Sequence, residues 1–128
     1  MSDGTPQLRV VSDAELPVLQ TLELIEPALD PGAQQLVEDE IYLADADGLL
    51  ARLRRVPAAT PSVMLIGHNP GMQELVLLLA SGPAGELAKV RDGMPTAALA
   101  SLDTGATQWS RLSRGDARLV DLVVPREL

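Results

Sequence analysis

A single histidine occurs in 128 residues, and it stands in "VMLIGHNPGMQEL" (63–75), between an apolar run and a Pro-Gly turn. An imidazole so placed can exchange a proton near neutral pH, switching between hydrogen-bond acceptor and donor as an anionic ligand arrives and leaves. His68 is followed by Asn69, Pro70 and Gly71, a combination that opens a helix. The first turn of a helix has unpaired N–H groups and partial positive charge, which suits a phosphate or a carboxylate. His68 is therefore the candidate catalytic residue. His68, Asn69 and Gly71 are the candidate phosphate-binding residues, with the N–H of Met72 as a further donor. The bland alternative is a turn kept for geometry alone, with His68 bonded to a neighbouring carbonyl.

Composition narrows the other chemistries. With no cysteine, thiol nucleophiles, disulfides and Cys-ligated metals are excluded. One histidine excludes a multi-His site within the chain, and no carboxylates cluster in sequence as an oxygen-ligated site would need, so no metal and no cofactor is expected. Glu38, Asp39 and Glu40 read as a solvated strand edge rather than a proton-transfer site. A formal net charge of -8 argues against nucleic-acid or anionic-membrane partners. The basic run "RLRR" (52–55) reads as the solvated face of a helix. "ELVLLLA" is far too short to span a membrane, and "MSDGTPQLRVV" carries no signal-peptide pattern, so a cytoplasmic location is expected.

The elements that must position His68 follow from patterning. At 128 residues and 46% hydrophobic, one domain over 1–128 is expected, its core built from aliphatic side chains because only 2% is aromatic. "QLRVVS" (7–12) reads as a buried strand. A helix is expected over 13–29, with Leu16, Leu19, Leu22 and Ile25 on one face, Pro17 in its first turn and Pro27 ending it. A weak strand at 35–43 precedes a helix at 45–56, capped by Asp45 or Asp47. The run "SVMLIG" (62–67) reads as the central strand of a parallel sheet, covered on both faces. The helix after Asn69 turns Met72, Leu75, Val76 and Leu79 inward. A loop with a short helix is expected over 81–94, then strands at 96–103, 108–113 and 117–124. The alternation implies an α/β fold, a three-layer sandwich with a mostly parallel sheet. Ligands bind beyond the carboxyl ends of strands in such sheets, and His68 sits at one.

The ordered blocks resemble a known family. "SVMLIGHNPGMQELVLLLA" (62–80) is similar to the second-histidine block of the histidine phosphatase (phosphoglycerate-mutase-like) superfamily, and within it of the SixA-type phosphohistidine phosphatases. "LQTLELIEPAL" (19–29) resembles that family's helix with its Gln-Thr pair, here Gln20 and Thr21. "VEDEIYLADADGLLARLRRVP" (37–57) resembles its acidic-Tyr segment and Leu-rich helix. "MPTAALASLD" (94–103) and "RLVDLVVPREL" (118–128) resemble its closing strands and tail. The resemblance implies hydrolysis of phosphomonoesters or phosphohistidine, with phosphate or a phosphorylated protein as partner.

The departures are as informative. The family's fold opens with a strand ending in Arg-His-Gly, whose histidine is the nucleophile. No Arg-His pair occurs here, and Pro17 stands where the family's second pocket arginine would fall. The expectation is an incomplete, N-terminally truncated domain in which His68 alone of the four pocket residues is kept, inactive as written. Three explanations stand side by side: a fragment of a longer enzyme, a divergent phosphate-binding or protein-interaction module, or a sheet completed by a partner chain, as in a homodimer.

Overall fold

The computed structural model describes residues 8–29, 32–42, 44–94, 98–105 and 108–123, with the side chains of residues 16–18 and 86 left aside. Strand β1 (Leu8–Asp13) pairs in parallel with β2 (Gln34–Glu38) on one side and with β3 (Ser62–Ile66) on the other. Alternation along β1 sends Val10 and Val11 to opposite faces, and both are fully buried. The centre of this sheet is thus β1, which corrects the expectation for 62–67. A run of apolar residues reports what the faces of a strand meet, not whether both edges are paired. Among the described strands β3 lies at an edge, and Val63, Met64, Leu65 and Ile66 are half-buried.

Helix α1 (Leu16–Ile25) carries Pro17 in its first turn, where no intrahelical N–H is needed. It passes into a 3-10 turn at Glu26–Ala28 containing Pro27. Leu22 is buried while Leu24 is 81% exposed, so the helix packs along a narrow stripe. Helix α2 (Ala46–Arg54) is capped as its sequence requires, the Asp45 carboxylate accepting the Gly48 N–H at 2.9 Å. Helix α3 (Gly71–Leu79) buries Leu75, Val76 and Leu79, with Met72 half-buried.

The second half departs further from expectation. Helix α4 (Ala84–Arg91) is the short helix expected within 81–94, and the two-residue strand β4 (Ala80–Ser81) before it was not expected. Strands β5 (Leu99–Thr104) and β6 (Ala117–Val123) pair antiparallel, and β4 joins β6 in parallel. Residues 96, 97 and 124 of the expected strands lie outside the described residues. The expected strand at 108–113 is instead a 3-10 turn at Trp109–Arg111. There the Trp109 indole donates to the Thr60 carbonyl at 2.8 Å and Leu112 is buried, two anchors that fold the segment inward.

The α/β class and the mostly parallel pairing hold, but the described strands form two three-stranded sheets, β2-β1-β3 and β4-β6-β5. Helices α2 and α3 enclose the larger apolar cluster, with Val11, Ile41, Leu49, Leu53 and Leu79 at its centre. A smaller one gathers Val76, Val90, Met94 and Leu119 between α3, α4 and β6. Among the described residues no helix is long and apolar enough to cross a membrane.

Candidate functional site

Parallel neighbours bring their carboxyl ends out side by side. Ser12 of β1 is in register with Ile66 of β3, so Asp13 and the Gly67–His68 turn emerge together. Asp13 is 0% exposed, and its two oxygens are both used. Oδ1 accepts the Glu15 N–H at 2.8 Å, closing the turn into α1, and Oδ2 lies 2.7 Å from His68 Nδ1. The other ring nitrogen, Nε2, lies 2.8 Å from Glu15 Oε2. The imidazole is thus flanked by a buried carboxylate and a partly exposed one, its own side chain 29% exposed. The Tyr42 ring meets it edge-on, with centroids 5.9 Å apart.

A carboxylate only accepts, so Asp13 assigns the donor role to Nδ1 and fixes the ring's orientation. His68 is therefore in a built setting, and the alternative of a bond to a neighbouring carbonyl is set aside by these two carboxylate contacts. Neither Asp13 nor Glu15 was singled out from the sequence as a site residue, and the fold brings them together with His68. One donor atom each from Asp13, Glu15 and His68 lies within 4.8 Å of the others. The available signal was topological: the loops after two adjacent parallel strands begin Asp13-Ala14-Glu15 and Gly67-His68.

The remaining sequence candidates have other employment. Asn69 Oδ1 accepts the Gln73 N–H at 3.1 Å, and its amide donates to the Met94 carbonyl. Its side chain ties the start of α3 to the segment after α4. The Met72 N–H is taken by the His68 carbonyl at 3.1 Å. Gly71 is buried where a Cβ would fall on the Ala44 carbonyl oxygen, so its smallness serves the packing of α3.

The acidic segment also reads differently in three dimensions. Arg52 is buried and holds Glu38 through two hydrogen bonds, at 2.5 and 3.0 Å, while Arg55 pairs with Glu40. Those bonds from Arg52 hold the Glu38 carboxyl below the usual carboxylate range, with burial opposing, and raise the Arg52 guanidinium in turn. Within the basic run, Arg52 is a buried tie between α2 and the end of β2, while Arg54 and Arg55 lie on the exposed face as expected. The run's arginines are engaged away from His68.

No family model matches the chain, and no curated protein matches it. Solved structures do. The fold, with its histidine beyond the end of a parallel strand, is that of the histidine phosphatase superfamily. Within that class its structural neighbours are SixA phosphohistidine phosphatases. A protein assigned as SixA from Nakamurella multipartitia is 26% identical with a TM-score of 0.68, over 94% of this chain and 72% of that one. One from Agrobacterium tumefaciens is 27% identical with a TM-score of 0.71, over 94% and 68%. A SixA complexed with tungstate, 24% identical, shares the fold at a TM-score of 0.69, over 93% and 69%.

Proposed function

We propose that this polypeptide is a SixA-like phosphohistidine phosphatase domain that retains the second-histidine block and does not by itself complete phosphoryl transfer. The similarity to SixA structures supports the substrate class, a phosphorylated histidine on a protein. The observation that carries the second half is the setting of His68, pressed between Asp13 and Glu15. Transfer through a phosphohistidine needs a free nucleophilic nitrogen and cationic donors aimed at the phosphoryl oxygens. Two carboxylates beside the ring present an incoming phosphate with like charge instead.

The test is release of inorganic phosphate from a phosphohistidine peptide by the purified 128-residue chain. The expected rate equals that of the peptide alone and is unchanged by His68→Ala. Turnover abolished by His68→Ala would make His68 a working catalytic residue and overturn the proposal. A second copy completing the sheet belongs to the same reading and draws support from the edge position of β3. Light scattering on the purified chain decides it, a monomer removing that element. The cytoplasmic location is likewise part of the proposal, with cell fractionation as its test.

A further inference from the structure

We propose that His68 Nε2 and Glu15 Oε2 ligate a divalent transition-metal ion, with Asp13 as the positioning residue behind the imidazole. The inference begins at Asp13. Its side chain is 0% exposed, so water cannot meet its charge, and Oδ2 takes the Nδ1 proton of His68 at 2.7 Å. With Nδ1 so engaged, only Nε2 is turned outward, offering a lone pair whenever it carries no proton. What Nε2 meets, 2.8 Å away, is another electron-pair donor, Glu15 Oε2. At that separation the two atoms share either a proton or a metal ion, and the donor atoms of Asp13, Glu15 and His68 lie within 4.8 Å of one another, close enough to converge on one ion.

The arrangement also has the form of a known metal-binding logic: a ligating histidine whose other nitrogen is fixed by a carboxylate, which sets the tautomer and raises the ligand's basicity. An ion roughly 2.1 Å from both Nε2 and Oε2 would see them at an angle of about 84°, narrower than the tetrahedral angle zinc prefers. Glu15, with 38% of its side chain exposed, can swing to open that angle. His68 is 29% exposed, so water fills the remaining positions. A mixed nitrogen–oxygen pair of this kind suits zinc and its neighbours and does not suit magnesium, which prefers oxygen alone. Among the described residues, the ion pairs of Asp13 and Glu15 are with His68 alone, so no fixed arginine competes for the position.

This inference does not rest on the phosphatase-like reading, because binding is read without turnover. The experiment is titration of chelator-treated protein with zinc chloride, followed by calorimetry and by the NMR resonances of the single imidazole. One equivalent is expected to bind, with the His68 Nε2 resonance displaced and Nδ1–H retained. His68→Ala should abolish binding, and Glu15→Gln and Asp13→Asn should each weaken it by about 10- to 100-fold. Glu40→Gln, remote from the site, should leave it unchanged, and magnesium should not move the His68 resonances. Absence of saturable zinc binding overturns the proposal and assigns the bridging position to a proton. Equal binding by Glu15→Gln, or an equal response to magnesium, overturns it as well. Should His68→Ala fail to fold by circular dichroism, the wild-type resonances and Glu15→Gln still decide.

Discussion

Asp13 Oδ2 lies 2.7 Å from His68 Nδ1, although 55 residues separate the two in sequence. The contact joins the ends of two parallel strands and satisfies the carboxylate of a residue with no access to water. Asp13→Ala should therefore destabilise the fold by about 1–3 kcal/mol, since the Glu15 N–H and the His68 Nδ1–H both lose a buried acceptor. Asp13→Asn keeps the volume and one acceptor oxygen and should cost less. Urea unfolding followed by Trp109 fluorescence measures both. Equal midpoints for wild type and Asp13→Ala would show that the contact carries no stability.

Glu38 supplies the pH dependence. Its carboxyl titrates lower in the folded chain than its reference value of 4.5, because Arg52 hydrogen-bonds the charged form. The sign follows from linkage: a depressed folded value stabilises above the unfolded value, and that contribution is lost as pH falls through the folded one. The Glu38 contribution to the urea midpoint should hold above the reference value of 4.5 and be lost as the pH falls below it. In Glu38→Gln the midpoint should fall less on acidification, and an unchanged pH profile in the variant would remove Glu38 from the account.

Two glycines in helices make a matched pair. A Cβ at Gly71 would collide with the Ala44 carbonyl oxygen, whereas at Gly85 it would meet nothing within 4 Å. Gly71→Ala should cost about 1–3 kcal/mol through overpacking against backbone. Gly85→Ala, inside α4, should stabilise by up to about 1 kcal/mol from helix propensity. Thermal midpoints moving in the same direction would contradict the packing assigned to Gly71.

The core should be equally uneven. Leu49 is 1% exposed at the centre of the larger cluster, and Leu49→Ala should cost about 2–5 kcal/mol. Leu24 is 81% exposed, and Leu24→Ala should stay within about 0.5 kcal/mol of wild type. Denaturant melts of the two variants check the contrast.

What was legible in the sequence was local. The Asp45 cap, Pro17 in a first turn, Pro27 ending a helix and the buried valines of β1 each follow from rules that act within a few residues. What escaped was non-local. Strand β3 looked central because four apolar residues in a row cannot reveal an unpaired edge. "QWSRLS" has strand-like alternation, yet the Trp109 indole bonds the Thr60 carbonyl and the segment turns. Of the site, His68 was found by its rarity. Asp13 and Glu15 were not, because only strand pairing brings them to it. Asn69 and Gly71 were noticed as a helix start; the Asn69 side chain bonds within the fold and Gly71 packs against Ala44, contacts that leave the part expected of their backbone N–H groups untouched.

The division of the strands into two sheets has a consequence for how the molecule opens. Among the described strands, no backbone ladder crosses from β2-β1-β3 to β4-β6-β5; side-chain packing and isolated backbone bonds such as Gly115 N–H to the Leu78 carbonyl tie the halves. Ladders transmit cooperativity more rigidly than such contacts do, so the two halves should behave as separate foldons. Amide exchange would then resolve two protection classes, slowest at Val10 and Val11 and faster along β6, where Val120 is 55% exposed. The chain would lose its C-terminal half first, with the His68 end of β3 still folded around Asp13.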